Sequence, residues 1–299
     1  MTDHDSLEID AALVRRLIAA QFPEWAKLPV RRVDADGWDN RTFRLGDDMK
    51  VRLPSAARYV AQVNKEHRWL PYLAPLLPLP IPIPLAVGKA AEGYPRPWSV
   101  QRWLDGETAA PERIADPREF AISLAQFLLA LQRIAAANGP PAGPHSFFRG
   151  GPLSIYDADT RRCLEVLQDE IDTAEASAVW DAALAARWHG PAVWVHGDFA
   201  IGNLLVTDGR LSAVIDFGSS AIGDPACDLV IAWNFLAGDS RDAFRATLSA
   251  DAATWARARG WALWKALLVL EANAGNGSVQ EPARRVIAEI LAEHRREAG

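Results

Sequence analysis

Cysteine is nearly absent from this chain, with two residues, Cys163 and Cys227, among 299. Two thiols do not make a disulfide framework, so a packed core has to carry the fold, and a reducing, cytoplasmic setting is expected. Long apolar runs are missing as well. No stretch approaches the roughly eighteen uncharged apolar residues that a membrane-spanning helix needs. Positive charge is in deficit, 32 Lys and Arg against 38 Asp and Glu, giving a net charge of −6. That argues against nucleic acid, which wants a basic face. The opening residues Met1-Thr2-Asp3-His4-Asp5 are acidic and polar, unlike a secretory signal. No internal repeat or disordered block interrupts the sequence. What is present is apolar mass: 49% hydrophobic residues, including twelve tryptophans. This is ample for one large domain or two lobes, and most of the tryptophans are expected to fill cores.

The most informative segment runs Trp194-Val195-His196-Gly197-Asp198-Phe199-Ala200-Ile201-Gly202-Asn203 and is followed by Val214-Ile215-Asp216-Phe217-Gly218. Short apolar runs flank each half, so the polar groups fall at strand ends. Phosphoryl transfer from a nucleotide needs a carboxylate to take the acceptor hydroxyl proton. It also needs oxygen donors to hold magnesium on the phosphates. The ordered pattern H-x-D-x-x-x-x-N followed by D-F-G supplies both. A turn at His196-Gly197-Asp198 and a plain strand exit at Asp216 are the bland readings of the separate pieces. The joint spacing favours the phosphotransfer reading.

At these residues the chain resembles the aminoglycoside phosphotransferase family, the small-molecule branch of the kinase-like fold. Gly223-Asp224-Pro225-Ala226-Cys227-Asp228-Leu229 continues the likeness, which extends from about Leu7 to the last helix. The resemblance implies an α+β, two-lobed, protein-kinase-like fold, with a small antiparallel-sheet lobe (1–103, nucleotide-binding, hinge at its end) and a mostly helical lobe (104–299). It implies Asp198 as catalytic base, Asn203 and Asp216 as magnesium ligands, His196 as a structural hub and Asp228 as an anchor for the catalytic loop. Gly197 stands where protein kinases carry arginine. It cannot pair with a phosphorylated loop, so that mode of regulation is not expected.

Along the chain, Leu7 to Phe22 has helical apolar spacing. Arg31 to Leu53 alternates and turns like a hairpin, with Gly37 and Asn40 in the bend where the kinase-like fold covers nucleotide phosphates. No G-x-G-x-x-G is present there, and an ordinary hairpin stays open as the alternative. Ala56 to Leu70 reads as a helix, with Val63, Glu66 and Leu70 on one face. A charge on such a face calls for a partner, and Arg52 on the preceding strand is expected to supply it. The family commonly has lysine at that position, so Arg52 is a departure; Lys50, on the same strand face, is its rival. Pro78 to Pro84 predicts an extended connector into an edge strand near Leu85 to Gly88. A strand over Trp98 to Leu104 then places Gln101 and Trp103 where a purine would meet backbone groups. Helices are predicted over Pro117–Ala137, Ser154–Ala186 (broken near Ala174), Pro225–Leu236, Ser240–Leu248, Asp251–Ala272 and Glu281–Arg296.

The reading is an ATP- or GTP-dependent, magnesium-requiring kinase acting on a hydroxyl of a small molecule. An aminoglycoside-type antibiotic leads, and a macrolide or a choline- or homoserine-type metabolite is the alternative. A nucleotide-binding pseudokinase scaffold is the non-enzyme rival. Trp233 and Glu271 are candidate acceptor contacts, with Asn234, Trp261, Trp264 and Asn273 beside them; each also fits plain packing or surface. No macromolecular partner is implied, and a monomer or weak homodimer is expected.

Overall fold

The structure is a computed structural model that describes residues 8–33 and 39–298. Gly37 lies outside the described residues. Helix α1 (Ala11–Gln21) starts at Asp10, whose carboxylate accepts the Leu13 N–H at 2.7 Å, and it buries Leu13, Val14, Leu17 and Ile18. It lies against an antiparallel five-stranded sheet in the order β1 (Val30–Arg32), β2 (Asn40–Leu45), β3 (Met49–Pro54), β5 (Trp98–Arg102), β4 (Pro84–Gly88). The proline-bearing strand β4 is an edge, because proline cannot donate to a second ladder. Gly88 in β4 lets the Trp98 indole lie flat on the sheet, since a Cβ there would fall 1.9 Å from the ring. Phe43, Leu45, Val51, Trp98 and Val100 close this small core.

Between β3 and β4 runs α2 (Val60–Leu73). Its start differs from the expected Ala56 because Ala57–Tyr59 form a 3₁₀ turn, and it runs on through Pro71. Proline there costs one backbone bond near the helix end, where few remain to be lost. Leu70 and Leu73 at its far end belong to a second, larger core.

That core is helical. β6 (Glu107–Thr108) leads to α3 (Pro117–Arg133), capped by Asp116 and burying Phe120, Leu124, Phe127, Leu128 and Leu131. The expected break near Ala174 falls between α4 (Asp157–Val166) and α5 (Thr173–Ala185). Three short strands follow, β7 (Val193–Val195), β8 (Leu204–Thr207) and β9 (Arg210–Val214), with β10 (Ala221–Gly223) returning to pair antiparallel with β7. β8 pairs with both β6 and β9. The stretch expected as one helix from Pro225 is a 3₁₀ turn, Pro225–Val230, running into the short α6 (Ile231–Asn234). Then come α7 (Gly238–Leu248), α8 (Ala252–Ala272) and α9 (Gly277–Ala298). Trp180, Trp194, Trp261 and Trp98 are among the largest fully buried side chains, as the composition implied. Cys163 and Cys227 are free and buried, and among the described residues no helix is long and apolar enough to cross a membrane.

Candidate active site

Strand β7 delivers His196 into the core, where its Nε2 donates to the Ile215 carbonyl at 3.0 Å and its Nδ1 accepts the Asp198 N–H at 3.3 Å. One buried imidazole thus ties the 196–203 loop to the segment entering Asp216. Gly197 has φ +84°, and a Cβ would meet the Ser219 carbonyl oxygen at 2.3 Å. Only glycine satisfies both the left-handed backbone and the close approach. The buried carboxylate of Asp228 accepts the His196 and Gly197 N–H groups, each at 2.7 Å. Burial pushes its pKa up against these two bonds. The loop is held from both sides.

Asp198 projects from this frame. Its Oδ2 accepts the Asn203 amide at 3.1 Å, and its Oδ1 accepts the Lys265 ammonium of α8 at 2.9 Å. Burial raises the pKa of Asp198, but Lys265, His196 and Arg149 outweigh it and hold the carboxyl below its ordinary value. The group is a carboxylate at neutral pH, able to accept a proton. Asn203 also donates to the Asp198 carbonyl at 2.9 Å, which turns its amide nitrogen inward. The Asn203 carbonyl accepts the Ile215 N–H at 2.9 Å, bringing Asn203 and Asp216 alongside one another. Asp216 adopts φ 64°, ψ 69°, a left-handed conformation that aspartate tolerates better than most residues.

On the opposite wall, Arg52 Nη1 donates to both oxygens of Glu66, at 2.9 and 3.0 Å, and Nη2 donates to Asp216 at 3.0 Å. Asp39 lies 3.8 Å from the same guanidinium. Burial, followed by the Asp216 charge, pushes the Asp39 pKa up to about 6. Lys50 lies on the same face of β3 and is buried; its pKa is pushed down to about 8, first by burial and then by Arg52. A neighbouring lysine, Lys65 of α2, donates to the Gly218 and Ser220 carbonyls at 2.7 and 2.9 Å and to His145 O at 3.2 Å. It clasps α2 to the segment that follows Asp216.

Between the walls lies a cavity of about 390 Å³. Asn40, Lys50, Arg52 and Trp103 line one side, and Asn203 and Asp216 the other. Asp198 adjoins it through Asn203. Of the two expected base-reading positions, Trp103 lines the cavity and Gln101 does not. Gln101 is fully buried and donates to Glu66 at 2.8 Å, so it steadies the ion pair behind the cavity instead of facing it. The Trp103 N–H is taken by the Asp48 carbonyl at 2.7 Å and the Arg102 N–H by Ile83, leaving Leu104 and Gly106 as cavity-lining backbone further on. Glu66, likewise buried, reaches the cavity only through Arg52.

The two acceptor candidates need correction. Trp233 is 3% exposed, packs edge-on against Trp255 and donates its indole N–H to Glu293 at 2.8 Å; it is a core residue. Glu271, near the end of α8, pairs with Arg162 and accepts the Cys163 thiol at 3.2 Å. Neither presents a free polar group to Asp198. The sequence reading missed Lys265 and Lys65. Lys265 had a signal, being the one charge between Gly260 and Leu270.

A two-lobed cleft with these residues across it defines a kinase-like fold. Residues 30–261 match the APH group, described as "Phosphotransferase enzyme family", and the chain belongs to that family. An aminoglycoside 3'-phosphotransferase of Escherichia coli is 30% identical over 151 residues, which is 46% of this chain and 52% of the relative. Another of that name, also from Escherichia coli, is 39% identical over 62 residues, 20% of this chain and 23% of the relative. The matches thus span about half or less of these curated relatives. Among solved structures, the GDP and kanamycin complex of APH(2")-IIIa superposes with TM-score 0.71 at 18% identity, covering 94% of this chain and 98% of that one. Macrolide 2'-phosphotransferase MphH from Brachybacterium faecium superposes with TM-score 0.58 at 22% identity, covering 93% and 97%.

Proposed function

We propose that this chain transfers the γ-phosphoryl group of ATP or GTP to a hydroxyl of a small molecule. The observation that carries the reading is the bond from Asn203 to Asp198, made at the edge of the cavity that Asn203 shares with Asp216 and Arg52. Residues 1–103 are taken as the nucleotide lobe and 104–299 as the catalytic and acceptor lobe. Asp198 orients the acceptor hydroxyl. The acceptor oxygen bonds to the γ-phosphorus, and the bond to the bridging oxygen breaks with its electron pair going to the nucleoside diphosphate. The hydroxyl proton passes to an Asp198 carboxylate oxygen. Asn203 Oδ1 and the Asp216 carboxylate are the groups that would hold magnesium. Two oxygen ligands suit an ion that takes the rest of its shell from phosphates and water. Bound there, the ion would neutralise charge on the phosphates. Arg52, fixed by Glu66, supplies positive charge in the position where the family commonly has lysine.

The relatives bear the names of aminoglycoside and macrolide kinases, so both acceptor classes enter the test. Consumption of ATP and GTP is followed in the purified chain with aminoglycosides, macrolides and small alcohols. Acceptor-dependent turnover that disappears in Asp198→Ala is expected. Nucleotide consumption that no acceptor stimulates and that survives Asp198→Ala sinks the reading.

A further inference from the structure

The surroundings of Asp198 outside the larger cavity carry an unusual charge balance. A small recess there is walled by Asp198, Arg149, Trp261, Trp264 and Lys265. Lys265 also borders an adjoining groove of about 160 Å³, lined by Val230, Ala262, Ala266, Val269 and Val286. Among the residues lining the two spaces, Asp198 is the one carboxylate, set against two cations. The Arg149 guanidinium stands 4.5 Å above the Trp264 ring and 5.2 Å from that of Trp261, and it donates to the Tyr156 hydroxyl at 3.3 Å. The indole N–H groups of Trp261 and Trp264 are buried without a hydrogen-bond partner, although nearly all buried polar groups find one. The two cations thus outnumber the carboxylate, and the groove's one uncharged polar lining side chain is Asn234, whose buried Oδ1 has no partner. A polycation would bring more donors and more positive charge to Arg149 and Lys265, and it would leave the groove's apolar wall without a partner.

We infer that the acceptor is a small molecule whose phosphorylated hydroxyl lies a few bonds from a carboxylate or comparable anion, with an apolar remainder. The anion engages Lys265, the hydroxyl reaches Asp198, and the apolar part lies in the groove between α8 and α9. Because Lys265 touches Asp198 at 2.9 Å, the anion and hydroxyl have to be close together. An anion on Lys265 also draws the ammonium from the carboxylate that receives the proton. The inference rests on the kinase reading above and narrows its acceptor.

The test compares a medium-chain β-hydroxyalkanoate, its methyl ester, the amine of the same skeleton, and kanamycin, using the purified full chain. Binding is read by tryptophan fluorescence and transfer by nucleotide consumption. The hydroxy acid is expected to bind first, then the ester, then the amine, with about tenfold between acid and amine. Lys265→Glu is expected to invert that order, and Lys265→Arg to preserve it. An order unchanged in Lys265→Glu, binding by none of the probes, or a higher kcat/KM for kanamycin than for the hydroxy acid overturns the acceptor class. Kanamycin turnover would leave the kinase reading standing. Hydroxy-acid binding in the expected order, in a chain that neither binds nucleotide nor transfers phosphate, supports the site and removes the kinase reading.

Discussion

Arg52 and Glu66 meet with one guanidinium nitrogen shared between both carboxylate oxygens, at 2.9 and 3.0 Å, while the other guanidinium nitrogen reaches Asp216. Arg52 therefore links the strand β3, the helix α2 and the D-F-G segment. Glu66→Ala leaves Arg52 held by acidic groups on one side only, and is expected to raise the nucleotide KM. In an Arg52→Ala background, the same truncation is expected to add little. Strictly additive effects in a double-mutant cycle would separate the pair functionally despite its geometry. Arg52→Lys is expected to keep substantial activity.

Asp198→Ala is expected to lower kcat on the order of a hundredfold or more, with nucleotide affinity largely kept. Steady-state kinetics and nucleotide binding by calorimetry check this. Near-normal kcat removes Asp198 from the proton-accepting role.

Asp216→Asn replaces a charged oxygen ligand by a neutral one and also weakens the contact with Arg52. Nucleotide affinity is expected to lose much of its dependence on magnesium. Superimposable magnesium titrations for the two proteins would mean that Asp216 holds no ion.

Lys50 gives a pH-dependent prediction. Its pKa falls from an ordinary 10.5 to about 8 in the folded chain, with burial as the largest cause. Between those values the unfolded chain binds more protons, so stability attributable to this group rises as pH climbs through the window. Below about 8 the cost of charging a buried amine is felt in full. Lys50→Met is therefore expected to raise Tm at pH 7, and the gain is expected to fade by about pH 10.5. Calorimetry at both pH values decides it, and a variant less stable than the parent at pH 7 contradicts it.

Gly197→Ala places a Cβ 2.3 Å from the Ser219 carbonyl oxygen in a backbone with φ +84°. The expected loss is roughly 3 kcal/mol or more, seen as a lowered Tm or an insoluble product. A variant that melts with the parent would show that the loop yields easily.

Several of these relationships were legible in the sequence because they are local or periodic. Val63, Glu66 and Leu70 fall on one helical face, so a buried charge needing a partner followed from spacing alone. His196, Asp198, Asn203 and Asp216 lie within 21 positions and share one strand context. Contacts across long separations were not readable. Lys265 reaches Asp198 over 67 positions and Lys65 reaches Gly218 over 153. Gln101 was misplaced because a polar residue in a strand reads as facing a ligand, whereas strand alternation turned this one toward Glu66. Trp233 was misplaced because a 3₁₀ turn running into a four-residue helix has no period from which to read a face.

The Lys65 clasp has a consequence for control. Swinging α2 outward would strip a buried ammonium of three carbonyl acceptors, at a cost of several kcal/mol. The helix also carries Glu66 and roots its far end in the larger core through Leu70 and Leu73. A helix so fastened resists outward displacement, which keeps Glu66 beside Arg52.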